Sequence, residues 1–178
     1  MTNDGLILDI DLSGIDETKA NIVGYPADLS RELNVAMASS LSLLKQAVAD
    51  RTPVDTDKLR GGITSETISV FPDLVGSVSS GDIPYAPVIE HGRTPGSRMP
   101  PVDAIKLWVI RKLQLPEDEV EGAAWAIAKS IAKHGFSPEH DVGPTGAKMF
   151  TKGLEASEPY INQLFNSAVA RATAKAND

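Results

Sequence analysis

Leu6, Leu8, Ile10 and Leu12 recur at every second position, and Asp9 and Asp11 stand between them. A period of two puts the apolar set on one face of a half-buried strand over residues 5–12, which Gly14 ends. Residues 15–25 lose the pattern and read as a polar linker. From Pro26 the period changes. Leu29, Leu33, Met37, Leu41, Leu44 and Val48 follow at steps of four, four, four, three and four, which is one face of a long helix. Proline is tolerated in its first turn, and Asp28 lies near the positive end of the helix dipole. Lys45 and Arg51 lie toward the other end, and Pro53 stops the helix by disfavouring helical geometry in the residue before it.

The stretches ITSETISV and LVGSVSS, within residues 63–79, are rich in Ile, Val, Thr and Ser and flank Pro72-Asp73, so they predict a hairpin. A further extended piece is expected from Tyr85 to Ile89. Residues 92–101 hold two glycines and three prolines and predict an exposed loop. Helical spacing returns after Pro101. Val102, Ile105, Val109 and Leu113 form a stripe, and Leu107, Trp108 and Ile110 lie partly off it. A helix over about 118–134 carries Val120, Ala124, Ile127, Ile131 and His134 on one face, with Gly135 as its C-cap. A second loop covers 135–150. A last helix from near Leu154 carries Ile161, Leu164, Phe165, Ala168 and Ala172, and its tail is polar and expected to fray. The order is strand, long helix, hairpin and third strand, then helices. That predicts an α+β fold: a small antiparallel sheet packed against a long N-terminal helix and C-terminal helices. The expected organisation is a strand, or arm, and linker at 1–25, then a single domain over 26–178.

Composition removes several function classes. At 178 residues the chain can bury roughly 70% of its unfolded surface, so it needs no metal or disulfide to fold. It has no cysteine, which excludes disulfides, thiolate metal sites and cysteine nucleophiles. No apolar run reaches the length of a membrane span, and the first residues lack the basic start of a signal peptide, so a cytoplasm is the expected place of folding. The net charge of −7 argues against wrapping nucleic acid on a basic face. It is compatible with a lumen that DNA passes without specific binding, because an acidic wall repels phosphate.

Asp55, Glu90 and His91 are residue types of an acid–base site, and a small hydrolase built on them is one alternative. No nucleophile motif accompanies them. His134, Glu139, His140 and Asp141 are metal-ligand types, but their irregular spacing on a loop lacks the helical i, i+4 pairing of a zinc hydrolase. Arg93 and Arg98 in the proline-rich loop suit contact with an acidic partner better than a nucleotide site, since no strand–loop–helix surrounds them. Lys129 and Lys133 read as a solvated helix face. No catalytic residue, metal or cofactor is expected.

Two segments remain. One is Arg51-Thr-Pro-Val-Asp-Thr-Asp-Lys-Leu-Arg-Gly-Gly-Ile63, directly after the long helix. The other is Tyr85-Ala-Pro-Val-Ile-Glu-His-Gly92. In the first, Asp55 is placed to cap the short Asp-Lys-Leu-Arg turn, Leu59 to tuck inward, and Gly61 and Gly62 to free the chain into the strand. Arg60 is placed to pair with Asp55 and Glu90 and pin the helix end to the sheet. Tyr85 is expected to bury its ring and keep its hydroxyl wet.

In this order, with a proline-rich loop after the second, the two segments resemble the "gene product ten" family of phage tail-component proteins. That family's pattern is TPVDTG-x-LR, two strands, then YA-x-x-x-E-x-G. The downstream AWAIAKSIAKHGF is similar to the family's alanine-rich helix. The resemblance covers roughly residues 30–175 and rests on Pro53, Asp55, Thr56, Leu59, Arg60, Tyr85, Glu90 and Gly92. Asp57 departs from it, standing where the family has glycine, and the strand at 5–12 has no counterpart in the pattern.

The resemblance implies a structural virion protein of the head-to-tail junction, a neck or tail-completion subunit and not an enzyme. It implies a ring, hexameric on a six-fold tail tube, between the phage connector or adaptor and the tail-terminator or tail-tube proteins. The expected assembly contacts are Arg93, Arg98, Leu107, Trp108 and Ile110. A tail-assembly chaperone absent from the mature virion is a further alternative.

Overall fold

The computed structural model describes residues 7–11, 26–70, 73–136 and 146–176. The linker expected at 15–25 and the ends of the strand expected at 5–12 fall outside them, as does most of the loop at 135–150. The elements, in order, are β1 (Ile7–Asp11), α1 (Pro26–Arg51), α2 (Lys58–Gly61), β2 (Thr64–Val70), β3 (Asp73–Ser79), α3 (Ala86–His91), α4 (Val102–Lys112), α5 (Glu117–His134) and α6 (Met149–Ala176). The fold is α+β, mostly helical, with a small antiparallel sheet. Contacts group the chain into two compact units, one of residues 1–86 with 149–178 and one of residues 87–148. The sequence reading set an arm and linker at 1–25 apart from a single domain over 26–178.

In the first unit the sheet runs β1-β3-β2, antiparallel throughout. β2 and β3 are the expected hairpin, with Val70 opposite Asp73. β1 is the third strand and pairs with β3 of its own subunit, Ile7 opposite Ser79 through Asp11 opposite Val75. On β3, Gly76 and Val78 are buried and lie on the face toward α1. A side chain at Gly76 would collide with the Met37 sulfur and come within 2.9 Å of Leu41 Cδ2, so glycine here lets the helix lie close over the sheet.

The apolar stripe of α1 becomes the core. Met37, Leu44 and Val48 are completely buried, and Leu29 and Leu41 nearly so. Helix α6 runs antiparallel to α1 along that stripe. Thr52, at the end of α1, donates from Oγ1 to the Val48 carbonyl at 2.8 Å and approaches Met149 Sδ at 3.3 Å. Gly153 sits where a Cβ would lie 2.8 Å from Val48 Cγ2. At the far end Glu32 accepts from Arg171 Nε at 2.8 Å and from Lys175 Nζ at 2.7 Å.

Two expectations are corrected. The piece expected to be extended, Tyr85 to Ile89, is helix α3, Ala86–His91. Pro87 falls in its first turn, where a missing N–H costs nothing, and Gly92 N closes it on the Val88 carbonyl at 2.8 Å. The β-forming character of Val88 and Ile89 gave the opposite signal. The last helix starts at Met149 and not near Leu154, because Met149 and Phe150 are buried and carry its apolar face one turn further back. Pro159 therefore lies inside this helix, on its exposed side.

The second unit centres on the pair α4 and α5. Val109, Val120 and Ala124 form its core, with Val102, Ile105, Leu115, Ala123 and Ile127 packed against them. Lys106 and Glu121 bridge the two helices at 3.4 Å. Gly135 caps α5, its N–H on the Ile131 carbonyl. Among the described residues, no helix is long and apolar enough to cross a membrane.

Candidate functional site

The first motif segment turns the chain from the end of α1 into the sheet. Pro53, Asp55 and Thr56 are exposed, and Leu59 is buried. The N-cap of α2 is Asp57 and not Asp55, and the Asp57 side chain makes no cap bond. Its carboxylate instead accepts from Arg60 Nε at 2.6 Å. Both members of that pair are about half exposed. Arg60 therefore belongs to an exposed ion pair with Asp57, and not to the partly buried setting that the sequence suggested for it beside Asp55 and Glu90.

Asp57 has φ 60° and ψ 0°, the left-handed region. Glycine enters that region without steric cost, and aspartate is among the few other residues that tolerate it. The position where the resembled pattern carries glycine is thus one where the backbone calls for it.

The second segment forms the Pro84–Gly92 turn and helix. Tyr85 stays partly exposed, and burial of its ring together with the negative charge of Asp55 raises the pKa of its phenol. Glu90 is buried, 1% exposed. Gly92 ends α3 with φ 73°, again a left-handed turn that glycine makes freely. The backbone just before it receives the chain returning toward α6. Ala147 N donates to the Ile89 carbonyl at 2.8 Å and Lys148 N to the Glu90 carbonyl at 3.1 Å. A side chain at Gly146 would overlap the Glu90 carbonyl, so only glycine permits this approach. The sequence offered no signal for Gly146, because its neighbour in space lies more than fifty positions away.

The loop at 92–101 has no regular element, as expected, yet it is pinned at several points. Arg93 and Phe136 exchange two backbone hydrogen bonds of 2.9 and 3.0 Å, and Gly96 N donates to the Ala132 carbonyl at 2.8 Å. The Arg93 guanidinium reaches the Arg98 carbonyl. Arg98 itself is exposed.

On α4, Val109 is fully buried while Leu107 is 60% exposed, Ile110 54% and Trp108 37%. Leu107 and Ile110 lie on one flank of the helix and Trp108 on the other, as the 100° step per residue requires. Leu113, placed on the core stripe by its spacing, is also exposed. So is Trp125 on α5, which the sequence did not single out.

Asp55 lies in the first unit, and Glu90 and His91 in the second. His134 is exposed at the end of α5, and Glu139, His140 and Asp141 lie outside the described residues. Among the described residues, no three His, Cys, Asp or Glu side chains are grouped to hold a metal ion. Comparison with protein-family models, with curated proteins and with solved structures found no match.

Proposed function

We propose that the chain is a structural subunit of the head-to-tail junction of a long-tailed phage. Copies of it contact one another head to tail and close a ring between the connector and the tail tube. The observation that carries this reading is the backbone at the two motif segments. Asp57 and Gly92 stand at the two glycine positions of the resembled pattern, and both have positive φ. Glycine enters that region freely, so the backbone at both positions suits the residue that the pattern carries there.

The apolar side chains outside the core of α4 fit the same reading. Leu107 and Ile110 lie side by side on its exposed flank, and neighbouring subunits would cover them. Ring subunits join through surfaces of this kind, with charged loop residues such as Arg98 at the rim. Arg93 would hold that loop in shape through the Arg98 carbonyl.

The test is quantitative mass spectrometry of purified particles of the encoding phage, joined to reconstruction of the junction without imposed symmetry. The expected result is a fixed ring's worth of copies at the junction, six on a six-fold tube. Absence from finished particles would make the chain an assembly factor, and a single unordered copy would end the ring reading.

A further inference from the structure

The two outer strands of the sheet are held in unlike ways. β2 joins β3 through residues 71–72 alone, so its partner is always at hand. β1 pairs with β3 across a long stretch of chain, Ile7 with Ser79, and fourteen residues, 12–25, separate it from α1. At full stretch that length spans about 45–50 Å, beyond the ~30 Å diameter of a small domain. Chain connectivity therefore does not fix which copy's β3 a given β1 occupies.

The edge of β3 selects its strand closely. Leu8 is in register with Val78 and Ile10 with Gly76, the two buried positions of β3, and Asp9 is in register with Ser77. A one-residue slip would bring Asp9 and Asp11 into register with those buried positions. The strand that fits this edge needs apolar residues at alternate positions with acidic ones between. A second copy of β1 meets that demand by identity, with the same register and the same hydrogen bonds.

We propose that β1 is an exchangeable strand. In a single subunit it closes its own sheet, and where subunits are crowded together it occupies the β3 edge of a neighbour. The cost of exchange is small, because the same pairing is made before and after. Concentration decides the balance. A linker of this length gives an effective concentration on the order of millimolar, so dilute protein keeps β1 at home and a packed ring lets it cross. The proposal rests on the ring reading for its setting, but its test needs only the purified chain.

The chain has no cysteine, so introduced thiols report without background. Asp9 and Ser77 are register partners, and antiparallel pairing holds such Cα atoms at a separation that a disulfide spans. Three proteins are compared under oxidised glutathione: Asp9→Cys, Ser77→Cys and the double variant. The dilute double variant is expected to form an internal disulfide. Equal amounts of the two single variants, one isotopically labelled, are unfolded, refolded together and oxidised. They are expected to give a mixed disulfide dimer whose yield rises at least tenfold from ~10 µM to ~1 mM protein, as an effective concentration of that order requires.

An internal disulfide in the double variant with no mixed dimer at any concentration would overturn the exchange and leave the ring reading to its own test. Failure of the double variant to close internally would also overturn it, since the register itself would then be absent. A mixed dimer from a protein missing from phage particles would uphold the exchange while removing the ring.

Discussion

The two units of this chain spend their apolar residues differently. In the first, α1 gives nearly its whole stripe to the sheet and to α6, and Met37, Leu44 and Val48 are completely enclosed. In the second, Val109 is the one large apolar side chain among the described residues that is completely enclosed, and small residues such as Ala124 and Ala128 fill much of the rest. Leu107, Trp108, Ile110, Leu113 and Trp125 remain outside. These five are the majority of the nine large exposed apolar side chains among the described residues, on a unit about half the size of the other. The first unit encloses most of its large apolar side chains, and the second leaves most of its own at least partly exposed.

The largest effects belong in the first unit. Leu44→Ala is expected to cost about 2–5 kcal/mol, because the side chain is completely enclosed and its loss leaves a cavity. Val109→Ala, in the thinner core, removes two carbons and should cost about 2 kcal/mol or less. Its mark should be local: faster amide hydrogen exchange in α4 and α5, with α1 and α6 unchanged. Denaturant melts and residue-resolved exchange measure both. Equal losses spread over the whole chain from either substitution would abolish the distinction.

The next effect tests the turn that supports the functional reading. A β-branched residue at φ 60° is strained, so Asp57→Val should cost about 1–2 kcal/mol. Asp57→Gly relieves strain but loses the exposed pair with Arg60 and loosens the unfolded chain, and should stay within about 1 kcal/mol of the parent. A valine variant as stable as the glycine variant would show that the left-handed turn makes no demand there.

How much of this was legible in the sequence depends on how far each residue's partner lies along the chain. The period-four stripe of α1 told its own story, because every residue in it answers to the same neighbours. The alternation at 5–12 gave a strand and a face, and the structure supplied its partner. Residues 85–89 misled because Val88 and Ile89 are β-formers, while Pro87, the residue that favours a helix start here, also reads as a breaker. Arg60 misled because Asp57, with which it pairs, stands out in the sequence as a departure from a pattern and not as a partner. The salt bridges of Glu32 with Arg171 and Lys175 span about 140 positions, and no local pattern points to them.

That clamp sharpens the comparison, since it ties the two long helices of the first unit at their ends. Hydrogen bonds from Lys175 and Arg171 lower the Glu32 carboxyl from its ordinary 4.5 to about 2. A carboxyl depressed in the folded state stabilises the fold above its unfolded pKa. That contribution is present above about pH 4.5 and is lost as pH falls through 2. Glu32→Gln should therefore melt lower than the parent near neutral pH, and the gap should close between pH 4.5 and 2. A gap that stays constant over that range would mean the carboxylate is not held in its charged form by these partners. Arg60→Ala is expected to cost less still, about 0–1 kcal/mol, because both members of its pair are exposed to water and salt.

The smallest effect on stability is expected where the effect on assembly should be largest. Leu107 and Ile110 are more than half exposed on a flank of α4 that does not enter the core. Replacing both with serine removes little buried surface from the isolated subunit, so its thermal midpoint should shift by the equivalent of about 0.5 kcal/mol or less per residue. The double variant should also be more soluble, because it breaks up an exposed apolar patch. If neighbouring subunits cover that flank, the same change should abolish ring closure and leave particles without joined tails. Val109→Ala is the control, since it weakens the fold beneath while leaving the flank intact. Thermal melts of the purified variants are compared with complementation of a phage lacking the gene. A Leu107→Ser/Ile110→Ser subunit that folds like the parent but fails to join tails is the expected outcome. One that joins them normally would show that the assembly contact lies elsewhere. One that unfolds would show that α4 needs this flank for its own stability, and the second unit would then resemble the first.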